Sequence, residues 1–361
     1  MSETYGAIRL ERFGSSFREA TDIVQIPLTE PGPGEIRVRN LFCGVNGIFD
    51  TQIARNSVDY VKIAPPTFTG VEALGLVDAV GEGVSDLAPG DAAVTVRFTG
   101  GYREANILPA MECVKVPEAR PEWLALSSTG VSAMVALEQI GELKDGETVA
   151  ISAAAGGLGH LMVQLAVLRG CHVIAVCGGK RKGEFVTSLG ARRIIDYRSE
   201  DVNAVLAAEY PHGIDVAVDT VSGSIFDAFL ANLGTHGRLV VGGAAADLEG
   251  RPEIVTGPRI AHSIYYKGAS VRGFMNGILT EHWPAARERL FTLYREGRLL
   301  IRFDEVPFHG LDGIYGAVER LLSGESIGKV IVDLRPQEDE DGSASGSARR
   351  STTGHAFAAS T

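Results

Sequence analysis

The sequence predicts an α/β protein in two parts, a small distorted β-barrel followed by a doubly wound parallel sheet. Three observations carry that expectation. As far as about residue 117 the chain reads as short β-favouring runs broken by Gly, Pro and Asp, the punctuation of a mainly β unit. From residue 148 onward strand and helix patterns alternate, which calls for right-handed crossovers and a parallel sheet. At the head of that alternation a strand turns through Ala154-Ala155-Gly156-Gly157-Leu158-Gly159 directly into a helix.

In the first half, strands at 23–28 and 35–41 flank the turn Thr29-Glu30-Pro31-Gly32-Pro33-Gly34, and 74–80, 91–96 and 105–108 continue the pattern. Residues 123–143 give the first helical periodicity and lead into the glycine turn. A strand at 148–152 follows the turn Lys144-Asp145-Gly146, and the near-continuous apolar run 171–177 suits a strand covered on both faces. Helix 185–189, strand 193–196, helix 202–209, strand 214–219, helix 224–233, strand 237–241, strand 270–274 and helix 283–296 come next. β character returns at 302–306, and Gly328-Lys329-Val330-Ile331-Val332-Asp333-Leu334 is a last strand expected to rejoin the barrel. The expected division is therefore 1–126, 127–296 and a return at 297–335. Residues 336–361, an acidic cluster followed by Ser, Ala, Gly and Thr, bury too little apolar surface to offset ordering entropy and are expected to be a disordered tail.

With a formal net charge of −11 and 45% apolar residues among 361, the composition supports two cores and argues against nucleic acid as a partner. Cys43, Cys113, Cys171 and Cys177 have neither metal-ligand nor Cys-x-x-Cys spacing and read as packed thiols of a reducing compartment. No signal core opens the chain, and no apolar run nears the roughly 20 residues of a membrane span. The expectation is a cytoplasmic protein with no membrane partner.

A helix that starts straight from a strand aims its free N–H groups and positive dipole end at whatever lies over the turn, which suits a pyrophosphate. Gly156 and Gly157 let the backbone approach such a group, and Gly159 lets the helix pack on the strand, while Ala154 stands where the dinucleotide fingerprint has its first glycine. At the end of the second strand, Cys177-Gly178-Gly179-Lys180-Arg181-Lys182 has no acid for the ribose hydroxyls and three cations. An added 2′-phosphate is attracted there, which favours NADPH over NADH.

Several spaced segments, taken with the glycine loop, resemble the medium-chain dehydrogenase/reductase superfamily over nearly all of residues 7–335. They are Pro31-Gly32-Pro33-Gly34-Glu35-Ile36-Arg37-Val38, Gly44-Val45-Asn46 with Asp50, Gly70-Val71-Glu72-Ala73-Leu74-Gly75 and Gly90-Asp91. Within it, the runs Glu209-Tyr210-Pro211-His212-Gly213-Ile214-Asp215-Val216 and Ala269-Ser270-Val271-Arg272-Gly273-Phe274 are similar to the zinc-free quinone oxidoreductase and prostaglandin reductase branches. The resemblance implies a GroES-like barrel as the catalytic domain and a Rossmann domain for NADPH. It implies that Lys182 and Tyr197 contact the 2′-phosphate, that Leu158, Gly242, Phe274 and Lys329 join Ala154, Gly156, Gly157, Gly159 and Gly178 on the cofactor, and that Asn46 stands beside the nicotinamide. Tyr60, in the loop expected over the cleft, is the second catalytic candidate, as a donor to a developing oxyanion. Tyr265, Tyr266 and Met275 are candidates for the pocket wall, and His160 is expected to be structural.

Zinc members of the superfamily take a Cys at the start of the segment that here reads Gly44-Val45-Asn46 and a His beside the position of Glu72, where this chain has Val71; its first histidine is His160. A catalytic zinc needs three protein ligands with imidazole, thiolate or carboxylate groups, so no metal is expected. Reduction of the carbon–carbon double bond of an α,β-unsaturated carbonyl compound is then the implied chemistry, because the charge falls on an enolate oxygen that a few donors can stabilise. Quinone reduction is the alternative, and a nucleotide-binding interaction protein without turnover is the alternative of another class. Either enzyme reading implies a small hydrophobic substrate, and the apolar run 269–274, read as a sheet edge, leads to the expectation of a homodimer paired there.

Overall fold

The computed structural model describes residues 3–57, 62–246 and 254–336. The expected tail at 337–361 and Tyr60 lie outside the described residues. The first half supplies strands β1 (Thr4–Leu10), β2 (Thr21–Pro27), β3 (Glu35–Gly44), β4 (Thr67–Phe68), β5 (Glu72–Val80), β6 (Ala92–Val96), β7 (Ala105–Pro109) and β8 (Cys113–Val116). They make a small sheet β2-β1-β4 and a larger antiparallel one in which β3 pairs with β5 and β7, β5 with β6, and β6 with β8. Along β3, Ile36, Val38, Asn40 and Phe42 turn inward, so the strand has one buried face. Its register on β5 shifts between Arg37 and Val38 and again between Asn40 and Phe42, irregularities that bend a strand and help the sheet curl.

The second half supplies β9 (Thr148–Ile151), β10 (His172–Cys177), β11 (Arg193–Asp196), β12 (Ile214–Asp219), β13 (Leu233–Val241) and β14 (Ser270–Gly273). All pair in parallel, in the order β11-β10-β9-β12-β13-β14. The order reverses direction between β9 and β12, and the crevice beyond the strand ends at such a switch point is where ligands of these sheets bind. Helices cover both faces: Val173, Ala175 and Cys177 enter one apolar cluster while Ile174 and Val176 enter another. That double burial is why the second strand reads as one apolar run.

After the sheet the chain crosses back, and β15 (Ile331–Asp333) lies antiparallel on β3 with Val332 opposite Cys43. Residues 302–306, expected as a strand, are not one. Phe303 makes an isolated bridge with Lys329, and the Asp304 side chain turns inward to accept from the Ile327 N–H at 2.8 Å and from Arg320 at 3.2 Å. Among the helices not expected are Gly47–Ala54 and Gly310–Leu322. The second has a helical apolar face, Leu311, Ile314, Tyr315 and Val318, which packs into the barrel core with Ile8, Leu10, Tyr102 and Val332. Gly310, Gly313 and Gly316, poor helix formers, hide that face in the sequence. The helix expected from 185 begins earlier, at Lys180–Ser188, so the basic triplet forms its first turn.

Candidate cofactor and substrate site

Between β9 and helix Gly159–Leu168 the backbone turns sharply, with Ala153 in the left-handed region at φ 46°. A Cβ at Gly159 would come within 2.7 Å of the Ala154 Cα, so glycine there permits the close helix–strand packing. At Gly157 the room a Cβ would need is taken by Lys329, whose Cα and Cδ would both lie at 3.2 Å. The loop is thus packed against the returning chain: Gly328 donates its N–H to Ala155 O at 2.8 Å, and Gly156 and Gly328 form a parallel bridge.

Two side chains one helical turn apart hold that return. His160 is fully buried; its Nε2 accepts from the Arg302 N–H at 3.2 Å, which leaves the proton on Nδ1 to donate to Gly156 O at 2.9 Å. Burial holds its pKa down to about 4, so the ring is neutral and serves structure, not acid catalysis. Gln164 takes the Leu300 N–H at 2.8 Å and gives an N–H to Leu300 O at 2.9 Å, pairing with the backbone as a strand would.

The C-terminal ends of the parallel strands gather the other residues singled out for the cofactor. Asp219, buried at the end of β12, accepts from Ser152 Oγ at 2.8 Å and from the N–H groups of Val221 and Ser222 at 2.9 Å, fixing the turn that faces the glycine loop across the switch point. Gly242 donates to Asp219 O at 2.7 Å, and Phe274 to Val241 O at 2.8 Å, so both stand at the ends of neighbouring strands. Beyond β10, Tyr197 lies over Gly178, where a Cβ would meet its Cζ at 2.7 Å and the Arg198 Nε at 2.8 Å. Of the basic triplet, Lys180 faces Glu184 and Arg181 pairs with Glu305, while Lys182 donates to Gly324 O at 2.5 Å; burial lowers the pKa of Lys182. Asp196, at the end of β11, is occupied by the N–H groups of Gly179 and Arg198, each at 3.0 Å.

On the barrel side, Asn46 stands at the N-terminal boundary of helix Gly47–Ala54, half-buried and with no side-chain capping bond to it. Behind it Lys329, 4% exposed, donates to Glu72 Oε1 at 2.5 Å, to Asn46 Oδ1 at 3.2 Å and to Val45 O at 3.2 Å. Asn46 Nδ2 in turn donates to Glu72 Oε1 at 2.9 Å. Glu72 is fully buried, and its Oε2 has no hydrogen-bond partner among the described residues. Nearby, the Tyr102 hydroxyl donates to Asp50 Oδ2 at 2.5 Å, and burial raises the Asp50 carboxyl to about 7. Among the described residues no group of three or more His, Cys, Asp and Glu is placed to hold a metal ion.

The structure brings Asn46, Lys329 and the glycine loop to one seam, and Gly178 and Tyr197 together beyond β10, where Lys182 lies on the following helix. Tyr265 and Tyr266 instead stand in solvent, 78% and 76% exposed, and pack on each other. Sequence reasoning passed over Glu72, Asp50 and Arg198 as individual residues. The signal for Glu72 was there: an acid inside the apolar run Val71-Glu72-Ala73-Leu74 needs a buried cation, and Lys329 inside Gly328-Lys329-Val330-Ile331 supplies one.

A barrel tied by a crossing segment to a six-stranded sheet with a glycine turn at its switch point defines a two-domain oxidoreductase built on a dinucleotide-binding sheet. Residues 32–118 match the model of the alcohol dehydrogenase GroES-like domain, and residues 157–292 that of the zinc-binding dehydrogenase. Over 333 residues the chain is 35% identical to prostaglandin reductase-3 of Mus musculus, covering 90% of this chain and 88% of that protein. It is 31% identical over 335 residues to a probable quinone oxidoreductase of Leishmania amazonensis, covering 91% and 97%. The Escherichia coli quinone oxidoreductase, solved as a complex with NADPH, superposes with a TM-score of 0.79 at 25% identity, covering 91% of this chain and all of that one. The chain belongs to the medium-chain dehydrogenase/reductase superfamily, among relatives of the prostaglandin reductases and quinone oxidoreductases.

Proposed function

We propose that this protein is an NADPH-dependent, zinc-independent reductase of the carbon–carbon double bond in α,β-unsaturated carbonyl compounds. The observation that carries the reading is the fixed direction of the Asn46 amide. A lysine ammonium only donates, so the amide oxygen must face Lys329 and the amide nitrogen Glu72. One N–H of Nδ2 is then left for an oxygen in the crevice. The glycine loop and the start of helix Gly159–Leu168 fit a pyrophosphate, and Lys182, Tyr197 and Arg198 fit a 2′-phosphate. Ala154, Gly156, Gly157, Leu158, Gly159, Gly178, Gly242, Phe274 and Lys329 would line the cofactor's path along the strand ends.

Bound there, NADPH would supply a hydride to the β-carbon of the substrate, and the enolate so formed would take a proton from solvent at its α-carbon. Asn46 donates to the substrate oxygen as negative charge collects on it, a preorganised hydrogen bond that strengthens as the charge grows. Lys329 and Glu72 keep the amide from turning. Zinc independence is supported by the donor set. The ammonium of Lys329 already occupies the space between Glu72 and Asn46, and a second cation beside it would be repelled. The division at 126 and 296, with return of 297–335, and Tyr60 as a second donor belong to the same reading. So do a homodimer paired along β14 and a cytoplasmic setting, the latter supported by four free cysteines. Among the described residues no helix is long and apolar enough to cross a membrane.

Quinone reduction is the second reading, favoured by the likeness to quinone oxidoreductases. A quinone oxygen could take the same Asn46 donor. NADPH consumption measured against a panel of enones and a panel of quinones separates the two. Faster turnover of the enones is expected, quinone preference would select the second reading, and no turnover of either would leave a nucleotide-binding interaction protein.

A further inference from the structure

The turn that follows helix Gly310–Leu322 reaches across from the barrel side to the basic groups beyond β10. Lys182 Nζ donates to Gly324 O at 2.5 Å, and Arg198 Nη2 pairs with Glu325 Oε1 at 2.9 Å. Arg320, on the helix itself, donates to the carbonyl of Glu325 at 3.2 Å. The Glu325 carboxylate therefore sits in the field of Lys182, Arg198 and Arg320, which together with the Arg198 hydrogen bond hold its pKa below the usual range. Lys182 and Arg198 flank Tyr197 and Gly178, at the end of the second strand of the sheet, where the ribose of a dinucleotide is recognised. Carboxylate and phosphate offer an arginine fork the same acceptor geometry, so one can take the place of the other.

We propose that Glu325 is an internal stand-in for the cofactor's 2′-phosphate, neutralising the cation cluster in the free protein and leaving Arg198 when the phosphate arrives. The inference rests on the reading of Gly178, Lys182 and Tyr197 as the 2′-phosphate pocket. Binding NADPH breaks the Arg198–Glu325 pair and sets a phosphate near a carboxylate, whereas NADH leaves the pair in place. Glu325 thereby limits the preference for the phosphorylated cofactor. Both partners are about half exposed, so the effect is that of a solvent-screened pair, worth no more than about fivefold in binding.

Calorimetric titration of the full-length protein with NADPH, NADH, 2′,5′-ADP and 5′-AMP tests this. Glu325→Gln should bind NADPH and 2′,5′-ADP about two- to fivefold more tightly and leave NADH and 5′-AMP unchanged. In an Arg198→Met background the same substitution should have a smaller effect, since the carboxylate has lost the partner it contests and only its repulsion of the phosphate remains. Unchanged or weaker binding of the 2′-phosphorylated ligands to Glu325→Gln would overturn the proposal, as would equal tightening of all four. A wild-type protein that binds NADH as well as NADPH would instead remove the 2′-phosphate pocket itself, an outcome separate from failure of the Glu325 inference.

Discussion

The side chain of Asn46 is useful because two buried neighbours of opposite charge hold it from behind. Removing its donor should act on the reaction and spare the cofactor: Asn46→Ala is expected to lower kcat/KM for an enone by about a hundredfold, with the NADPH dissociation constant unchanged, as steady-state and binding measurements would show. At the far end of the crevice, Lys182→Ala is expected to weaken NADPH by roughly tenfold and to leave NADH as it was, since a charge-assisted hydrogen bond contributes about 1.5–3 kcal/mol. Equal weakening of both would assign the lysine to the fold through its contact with Gly324. From the sequence, Lys182 could be singled out by the basic triplet after Gly178-Gly179, and Asn46 by the resemblance of Gly44-Val45-Asn46 to the superfamily. Glu72 and Lys329 each stand out as a charge inside an apolar run, but their pairing was not legible, since they are 257 positions apart and only the return of β15 onto β3 brings them together.

Helix Gly159–Leu168 does two jobs, presenting its N-terminus over the glycine loop and clamping residues 300–302 with His160 and Gln164. The clamp has a pH signature. His160 has a folded-state pKa of about 4 against an ordinary 6.5, so between those values the unfolded chain binds a proton that the folded one does not. Stability from this group is full above pH 6.5, declines as pH falls and is lost below about 4. Asp50, raised to about 7 from 3.8, acts with the opposite sign, stabilising most at low pH and losing its contribution as pH rises toward 7. Thermal melts of wild type and His160→Gln across pH 4–7 should isolate the first effect: the variant is expected to be less stable at pH 7 and to lose less on acidification. An equal slope in both proteins would mean that His160 is not the titrating group. At this scale the strand–turn–helix unit and the alternation after it were legible, because period and punctuation are local. The clamp was not, for a buried His and Gln one turn apart read as an ordinary polar face until the segment they grip is known. Helix Gly310–Leu322 was hidden by its glycines, although its apolar spacing was present.

Across the whole molecule, the crossing segment 300–329 makes one site out of two folded parts. It pairs with the glycine loop through Gly328, reaches the catalytic side through Lys329 and contacts the basic cluster through Glu325. Among the described residues β14 is the edge strand of the parallel sheet, and an unpaired edge invites a second copy. Light scattering at micromolar concentration is expected to give the mass of a dimer; a monomer mass would count against pairing along β14. Metal analysis of the purified protein should find no stoichiometric zinc, and chelators should leave activity intact. The most direct test of the whole account follows the hydride. Chelator-treated protein given NADPH deuterated at the transferring position of the nicotinamide, together with an enone, should yield a saturated ketone carrying deuterium on its β-carbon, placed by NMR of the product. Deuterium on the carbonyl carbon of an allylic alcohol, or transfer that requires added zinc, would contradict a site in which Asn46, held by Lys329 and Glu72, does the work of a metal.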